Sequence, residues 1–267
     1  MNSGAVIVAL RNAQIDYMAL AAWSAGNIRR HLDLPVAVIT DDTQADTSMF
    51  DRVIVVETPQ DAGFRNLDNT QPAIWQNTNR VDAFDLSPWG RTLLLDADYV
   101  VASADLRVIV DSAAAISTHR WAYDVTGGND LSGLNWFGTS RMPQWWATVM
   151  VFDRSDRSRM VFDCMRMIRD NWPHYERIYG VSKGLYRNDQ ALSIALNIEN
   201  GHTLETTDIP WRLATVMPEC DIRVMAQDQY HISYQDGQGR DRYIVTKGQD
   251  LHVMAKKALE VIVANTS

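Results

Sequence analysis

Four short runs of apolar and β-branched residues in the first hundred positions constrain the fold more than any other feature of this chain. They are Ala5-Val6-Ile7-Val8-Ala9-Leu10, Val36-Ala37-Val38-Ile39, Val53-Ile54-Val55-Val56 and Thr92-Leu93-Leu94-Leu95, the last opened by Arg91. A strand wet on one face alternates apolar with polar residues, whereas an unbroken apolar run suits a strand covered on both faces. Between the runs, residues 14–31 carry Ile15, Met18, Leu20, Ala22 and Ile28, which suit a helix. A second helix is expected from near Pro72 to about Leu86, since proline fits a first helical turn. Ser87-Pro88-Trp89-Gly90 then turns the chain into the fourth run. The order strand, helix, strand, strand, helix, strand predicts an α/β fold with a mixed, mostly parallel sheet flanked by helices. Ligands of such sheets bind beyond the carboxyl ends of the strands. The chemistry is therefore sought just after Leu10, Ile39 and Leu95.

The second part of the chain reads differently. Residues 119–146 look like a loop with Gly127-Gly128 and Gly133, and carry Trp121, Tyr123, Trp136, Phe137, Trp145 and Trp146. A strand is expected over Thr148–Phe152, a helix over residues 155–171, and another helix after Asn188. Short strands are expected within residues 203–245 and a last helix over residues 251–263. No repeat, low-complexity tract or linker divides the chain, so residues 1–267 read as a single domain. No apolar run reaches the ~18–20 residues of a membrane span. The start Met1-Asn2-Ser3-Gly4 lacks the basic and apolar regions of a signal peptide. Cys164 and Cys220 form neither a metal-type pair nor a disulfide framework, which fits a reducing, cytoplasmic setting in a bacterial or phage-infected cell. A formal net charge of −8 argues against a broad nucleic-acid footprint while leaving room for one basic groove.

The residues that carry chemistry follow the fourth run. Asp96 and Asp98 flank one alanine, Ala97, at the end of a strand expected to be central. In an extended segment, residues two apart point to one side. Two close carboxylates resist joint ionisation unless a cation lies between them. Hard oxygen ligands suit Mg²⁺ or Mn²⁺, ions that keep positions open for phosphate oxygens. An isolated D-x-D is otherwise an ordinary acidic turn, and its place at a strand end is what marks it.

Arg91-Thr92-Leu93-Leu94-Leu95-Asp96-Ala97-Asp98-Tyr99-Val100-Val101 resembles the D-x-D strand of GT-A glycosyltransferases. It is most similar to the retaining family-8 type, which includes glycogenin and bacterial lipopolysaccharide galactosyltransferases. Arg80 lies where that family carries a donor-contacting arginine. Trp146-Ala147-Thr148-Val149-Met150-Val151-Phe152 takes the place of the family's N-[SA]-G-V strand, without its Asn and Gly. Asn188-Asp189-Gln190-Ala191-Leu192 is similar to the family's D-Q helix start. His252 stands near the third metal ligand of the family's H-x-x-G-x-x-K-P-W, without the Gly or the Lys-Pro-Trp.

The resemblance implies a nucleotide-binding half over residues 1–101 and a sugar and acceptor half over residues 102–267. It implies Mn²⁺ or Mg²⁺ on Asp96, Asp98 and His252, with Ala97 beside the donor. Leu10, Arg11, Asn12 and Tyr17 would meet the nucleoside, and Arg80 and Asp130 the donor. Asp124, Asp189 and Gln190 would face the transferred sugar, and Lys256 or Lys257 the leaving diphosphate. The implied reaction moves a sugar from a UDP-type donor to an acceptor hydroxyl with retention. A saccharide or glycolipid is the acceptor by analogy.

The residues leave other readings open. A hydroxymethylated pyrimidine in phage DNA is the second acceptor. The arginines of residues 154–169 and the tryptophan loop would then serve as its groove and stacking platform. A sugar nucleotidyltransferase is a further alternative, although Arg11-Asn12-Ala13-Gln14 lacks the glycine such enzymes carry there. A binding protein without catalysis completes the set.

Overall fold

The computed structural model describes residues 2–57, 63–67, 71–75, 77–181, 186–202 and 208–266. Its strands are β1 (Ser3–Val8), β2 (Val36–Thr40), β3 (Arg52–Val55), β4 (Gly63–Leu67), β5 (Gln71–Trp75), β6 (Arg91–Asp96), β7 (Tyr99–Val100), β8 (Ile116–His119), β9 (Ala122–Asp124), β10 (Trp136–Phe137), β11 (Met142–Pro143), β12 (Trp146–Asp153), β13 (Leu213–Val216), β14 (Asp221–Ala226), β15 (Gln229–Gln235), β16 (Asp241–Lys247) and β17 (Leu251–Val253). The α-helices are α1 (Tyr17–Leu32), α2 (Ala83–Leu86), α3 (Asp105–Val110), α4 (Asp156–Asp170), α5 (Trp172–Tyr179), α6 (Asn188–Glu199) and α7 (Lys256–Thr266).

The apolar runs form β1, β2, β3 and β6 of a six-stranded sheet ordered β3-β2-β1-β6-β12-β8, with β3 at its edge. β3, β2, β1 and β6 are parallel; β12 is antiparallel to both β6 and β8. The runs of β1, β2 and β6 are continuous because each face of the sheet has its own core; β3, at the sheet edge, instead leaves Val53 and Val55 exposed, against the expectation of a strand covered on both faces. Ala5, Ile7, Val36, Val38, Leu93 and Leu95 pack on one side with α1, α3 and α7. Val6, Val8, Ala37, Ile39 and Leu94 pack on the other with α4 and α6. The result is the mixed, mostly parallel α/β sheet expected from the run pattern.

Local signals explain the helix limits. The Asp16 carboxylate accepts the Ala19 amide at 2.9 Å and caps α1. Asp33 closes the same helix in the left-handed region at φ 50°. Ser155 caps α4, accepting the Ser158 amide at 3.3 Å.

Gly4 is required for a different reason. The Trp89 indole lies flat against it, and a Cβ built there would stand 2.4 Å from the ring. The same indole donates from Nε1 to the Ala5 carbonyl at 3.0 Å, which holds the ring in place. Gly4→Ala is therefore expected to lose about 1–3 kcal/mol by overpacking, read as a lower midpoint in thermal unfolding. A midpoint equal to that of the parent would contradict this packing.

Three expectations are corrected. Pro72 lies in β5, not at a helix start, and β5 pairs with β4 as a separate two-stranded ribbon. A strand with a free edge tolerates proline, because one row of its amides needs no partner. The helical turns begin only at Asn77, as a 3-10 segment running into α2. Residues 119–146 are not one loop: they hold β9, β10 and β11, with Phe137, Trp145 and Trp146 buried. The last helix begins at Lys256, and Leu251–Val253 is a strand between β7 and β13. The expected strands after residue 202 occur as β13 to β16, while residues 203–207 lie outside the described part. Among the described residues, no helix is long and apolar enough to cross a membrane.

Candidate functional site

The acidic pair lies where the chain passes from one sheet to another. β6 ends at Asp96, Ala97-Asp98 make a turn, and β7 enters a second sheet ordered β7-β17-β13-β9. Strand periodicity therefore does not bring the two carboxylates together; the turn does. The small sheet then delivers the third group. His252 pairs with Tyr99, and the Val253 amide donates to the Asp98 carbonyl at 2.9 Å. One ligand atom from each of Asp96, Asp98 and His252 falls within 4.8 Å of the others.

The electrostatics of this trio are strained in a specific way. Withdrawal from water raises the Asp96 carboxyl, and the charge of Asp98 adds to the rise against the opposing pull of Arg80. Burial also pushes Asp98 up, but Lys256 and His252 outweigh it and hold that carboxyl below its usual value. Burial lowers His252 toward the neutral imidazole, the form that ligates metals. Its Nδ1 is sealed from solvent without a hydrogen-bond partner. Two carboxylates, a neutral imidazole and an unpaired buried ring nitrogen at one point fit a divalent cation of the Mn²⁺ or Mg²⁺ type.

Charged neighbours frame the trio. Arg80, 1% exposed, donates to Asp96 at 2.6 Å and to the carbonyls of Ala147 and Thr148 at 2.6 and 3.3 Å. Both ends of its fork are thus engaged by protein acceptors. Lys256 places its ammonium 2.7 Å from Asp98 and 5.5 Å from the centre of the Tyr17 ring. Lys257, the next residue, is exposed. Asp189 lies in the first turn of α6 and accepts the Ala147 amide at 2.8 Å. Gln190 beside it has a sealed, unpartnered Oε1.

The loop after β1 makes a hollow of about 400 Å³, lined by Leu10, Arg11, Asn12, Tyr17, Asp42 and Glu260 among others. Its shape is held by its own polar groups. Asp41 accepts the Arg11 amide at 2.7 Å, and the Arg11 guanidinium pairs with Asp42 at 2.8 Å. Asn12 accepts the Gln14 amide at 2.9 Å. Glu260 of α7 accepts the Asp16 amide at 2.7 Å, tying the last helix to the first. Tyr17 and Lys256 link this hollow to the trio.

Two expected sugar-facing residues are spent locally. Asp124 accepts the Thr126 hydroxyl and amide and the Asn129 amide and side chain, all at 2.8–2.9 Å. Asp124 shares a cross-strand row with Thr215, His252 and Tyr99, so it lies in the sheet of the site while its oxygens close its own loop. Asp130 is exposed and accepts the Ser132 amide and hydroxyl, which lower its carboxyl. Sequence reasoning passed over the buried His119, and it placed Trp146 in an aromatic loop platform, whereas the Trp146 ring lies 6.3 Å from His252. Burial pushes His119 down to about 4. No local motif marks His119.

No known protein family and no curated protein matches the chain by sequence. Comparison with solved structures returns glycosyltransferases. Apo-form glycosyltransferase GlyE of Streptococcus pneumoniae TIGR4 aligns at TM-score 0.42 and 14% identity, over 74% of this chain and 43% of that one. A second GlyE structure aligns at 0.44 and 12%, over 79% and 46%. Galactosyltransferase LgtC, solved with donor and acceptor sugar analogues, aligns at 0.46 and 13%, over 72% and 70%. The chain spans less than half the length of GlyE.

Proposed function

We propose that this chain is a divalent-metal-dependent GT-A glycosyltransferase of the retaining family-8 type, which moves a sugar from a UDP-type donor to an acceptor hydroxyl. The observation that carries the reading is the convergence of Asp96, Asp98 and His252 within 4.8 Å, beside a hollow of about 400 Å³. Asp96, Asp98 and His252 would hold Mn²⁺ or Mg²⁺. That cation, when bound, stabilises the charge that develops on the departing diphosphate.

The chain's own groups supply the rest. Leu10, Arg11, Asn12 and Tyr17 form the nucleoside side. Lys256 adds positive charge next to Asp98. Arg80 fixes the Asp96 carboxylate and reaches the donor only through it. Asp189 and Gln190 face the sugar, and the unpaired Gln190 Oε1 is an acceptor left for a hydroxyl. Asp124 and Asp130 shape the loop beside it. A reducing, cytoplasmic setting belongs to this reading, in keeping with two free cysteines.

The DNA-acceptor alternative is weakened by the state of the arginines around α4. Arg157 pairs with Glu199 at 2.9 Å, Arg166 with Asp85 at 2.6 Å, and Arg169 with Asp170 at 2.9 Å. Arg154 donates to the carbonyls of Phe84, Ser87 and Trp89. Groups so engaged are poorly placed to meet phosphates.

A thermal-shift screen of UDP-, GDP- and dTDP-sugars with Mn²⁺ tests the donor. A ligand at ~100 times its dissociation constant adds about 2.7 kcal/mol of stability. A UDP-sugar shift that requires Mn²⁺, followed by release of UDP, is the expected result. A shift without turnover would leave the chain a binding protein, and no shift with any donor would overturn the reading.

A further inference from the structure

Arg120 follows β8 at the edge of the main sheet, whose strand β6 ends at Asp96. β8 runs parallel to β6, since both are antiparallel to β12. The preceding residue, His119, pairs with Trp146, whose ring lies against His252. The Arg120 guanidinium is enclosed by three tryptophans, with ring centres of Trp121, Trp136 and Trp145 at 4.7, 5.5 and 5.7 Å. The residue is 8% exposed, and its Nε is sealed without a partner. It makes no hydrogen bond or ion pair with any described residue.

The other buried arginines behave differently. Arg80 donates to Asp96 and two carbonyls, and Arg91 to the carbonyls of Val110, Ile109 and Ala114. Burying a guanidinium is costly unless its charge and donors are met. Cation–π contacts with the three indoles offset part of the charge of Arg120. They do so without accepting a hydrogen bond in the plane of the guanidinium, and its donors meet no acceptor among the described residues. Those donors form the planar fork that matches an oxyanion in bidentate fashion.

The cage has an open side: Trp121 is 38% exposed and Trp136 half-buried. Arg141 lies 6.0 Å from the Trp136 ring and brings a second positive charge. In a chain of net charge −8, a buried cation with no carboxylate partner among the described residues is a local exception. It would offset the field that otherwise repels an anionic ligand. Exposed indole faces next to it suit the apolar face of a sugar ring.

We propose that the Arg120 cage is the acceptor subsite, and that it receives an oxyanion, phosphoryl or carboxylate, carried on a sugar. The word acceptor rests on the glycosyl-transfer reading; the binding of an anionic sugar does not.

The test is titration calorimetry in EDTA with glucose, glucose 6-phosphate and glucuronate, without a donor. Both anionic sugars are expected to bind at least ~10-fold more tightly than glucose. Arg120→Gln is expected to remove that preference, and Arg120→Lys to keep part of it. Phosphate preferred over carboxylate, or the reverse, identifies which oxyanion the site reads. No preference in the parent protein, or one that persists in Arg120→Gln, overturns the proposal. Should Arg120→Gln fail to fold, Trp121→Ala on the exposed ring decides: weaker binding of all three sugars is expected, and unchanged binding overturns the stacking role. Because metal and donor are absent, failure of the donor reading leaves this result standing, and the reverse holds.

Discussion

Asp98→Asn is expected to lower Mn²⁺-dependent release of UDP from a UDP-sugar by at least ~100-fold, the scale of losing a group that stabilises developing charge. The substitution keeps the shape of the side chain and removes its charge. Asp98 is the carboxylate that Lys256 and His252 hold in the ionised form, so it is the ligand already prepared for a cation. Asp96 is not equivalent: its carboxyl is raised, and Arg80 occupies one of its oxygens. The variant should fold, because the Lys256 side chain keeps 18% exposure and its ammonium reaches water when the pair is lost. Initial rates across an Mn²⁺ titration, with the unfolding midpoint measured in parallel, separate a lost ligand from a lost fold. Turnover within a few-fold of the parent would remove the metal site from the mechanism.

Local pattern was enough for the scaffold and for half of the site. The runs at Ala5, Val36 and Leu93 became β1, β2 and β6, because a strand buried on both faces writes its burial into consecutive residues; the run at Val53 also became a strand, β3, but an edge strand with Val53 and Val55 exposed. The end of β6 then located Asp96 and Asp98. The rest depended on pairings between distant segments. Leu251–Val253 looked continuous with α7, since three apolar-flanked residues carry no period. Only pairing with Tyr99–Val100 and Thr215–Val216 makes them a strand. That pairing brings His252 to the acidic pair. Pro72 suggested a helix start by a rule that an unpaired strand edge also satisfies. The aromatic residues after His119 looked like a surface platform. Trp145 instead is buried and donates from Nε1 to Asp208 at 2.7 Å, 63 positions away. Arg80 was expected to touch the donor, and its engagement by Asp96, Ala147 and Thr148 is set by three segments at once. A single sequence holds no local trace of such a partner set.

Arg80→Met is expected to be the most destabilising single change at the site, at about 3 kcal/mol. Removing one member of a buried ion pair costs roughly 3–5 kcal/mol, because the other charge stays behind. The lower end applies, since the Asp96 side chain keeps 26% exposure and recovers some hydration. Methionine fills much of the arginine stem, so the loss arises from the polar end: Asp96 loses its partner, and the Ala147 and Thr148 carbonyls lose a donor. The pH dependence distinguishes this from simple cavity formation. Asp96 has a folded-state carboxyl raised above 3.8, so its protonated form is favoured by folding and that benefit fades as pH rises through the raised value. Arg80 opposes the rise, and its removal extends it. The gap in stability between parent and Arg80→Met should therefore be widest near pH 8 and narrow on acidification, as the stranded carboxyl becomes neutral. Urea unfolding of both proteins at several pH values reads this directly. A constant gap would show that the cost is packing alone and that Asp96 does not depend on Arg80 for its charge.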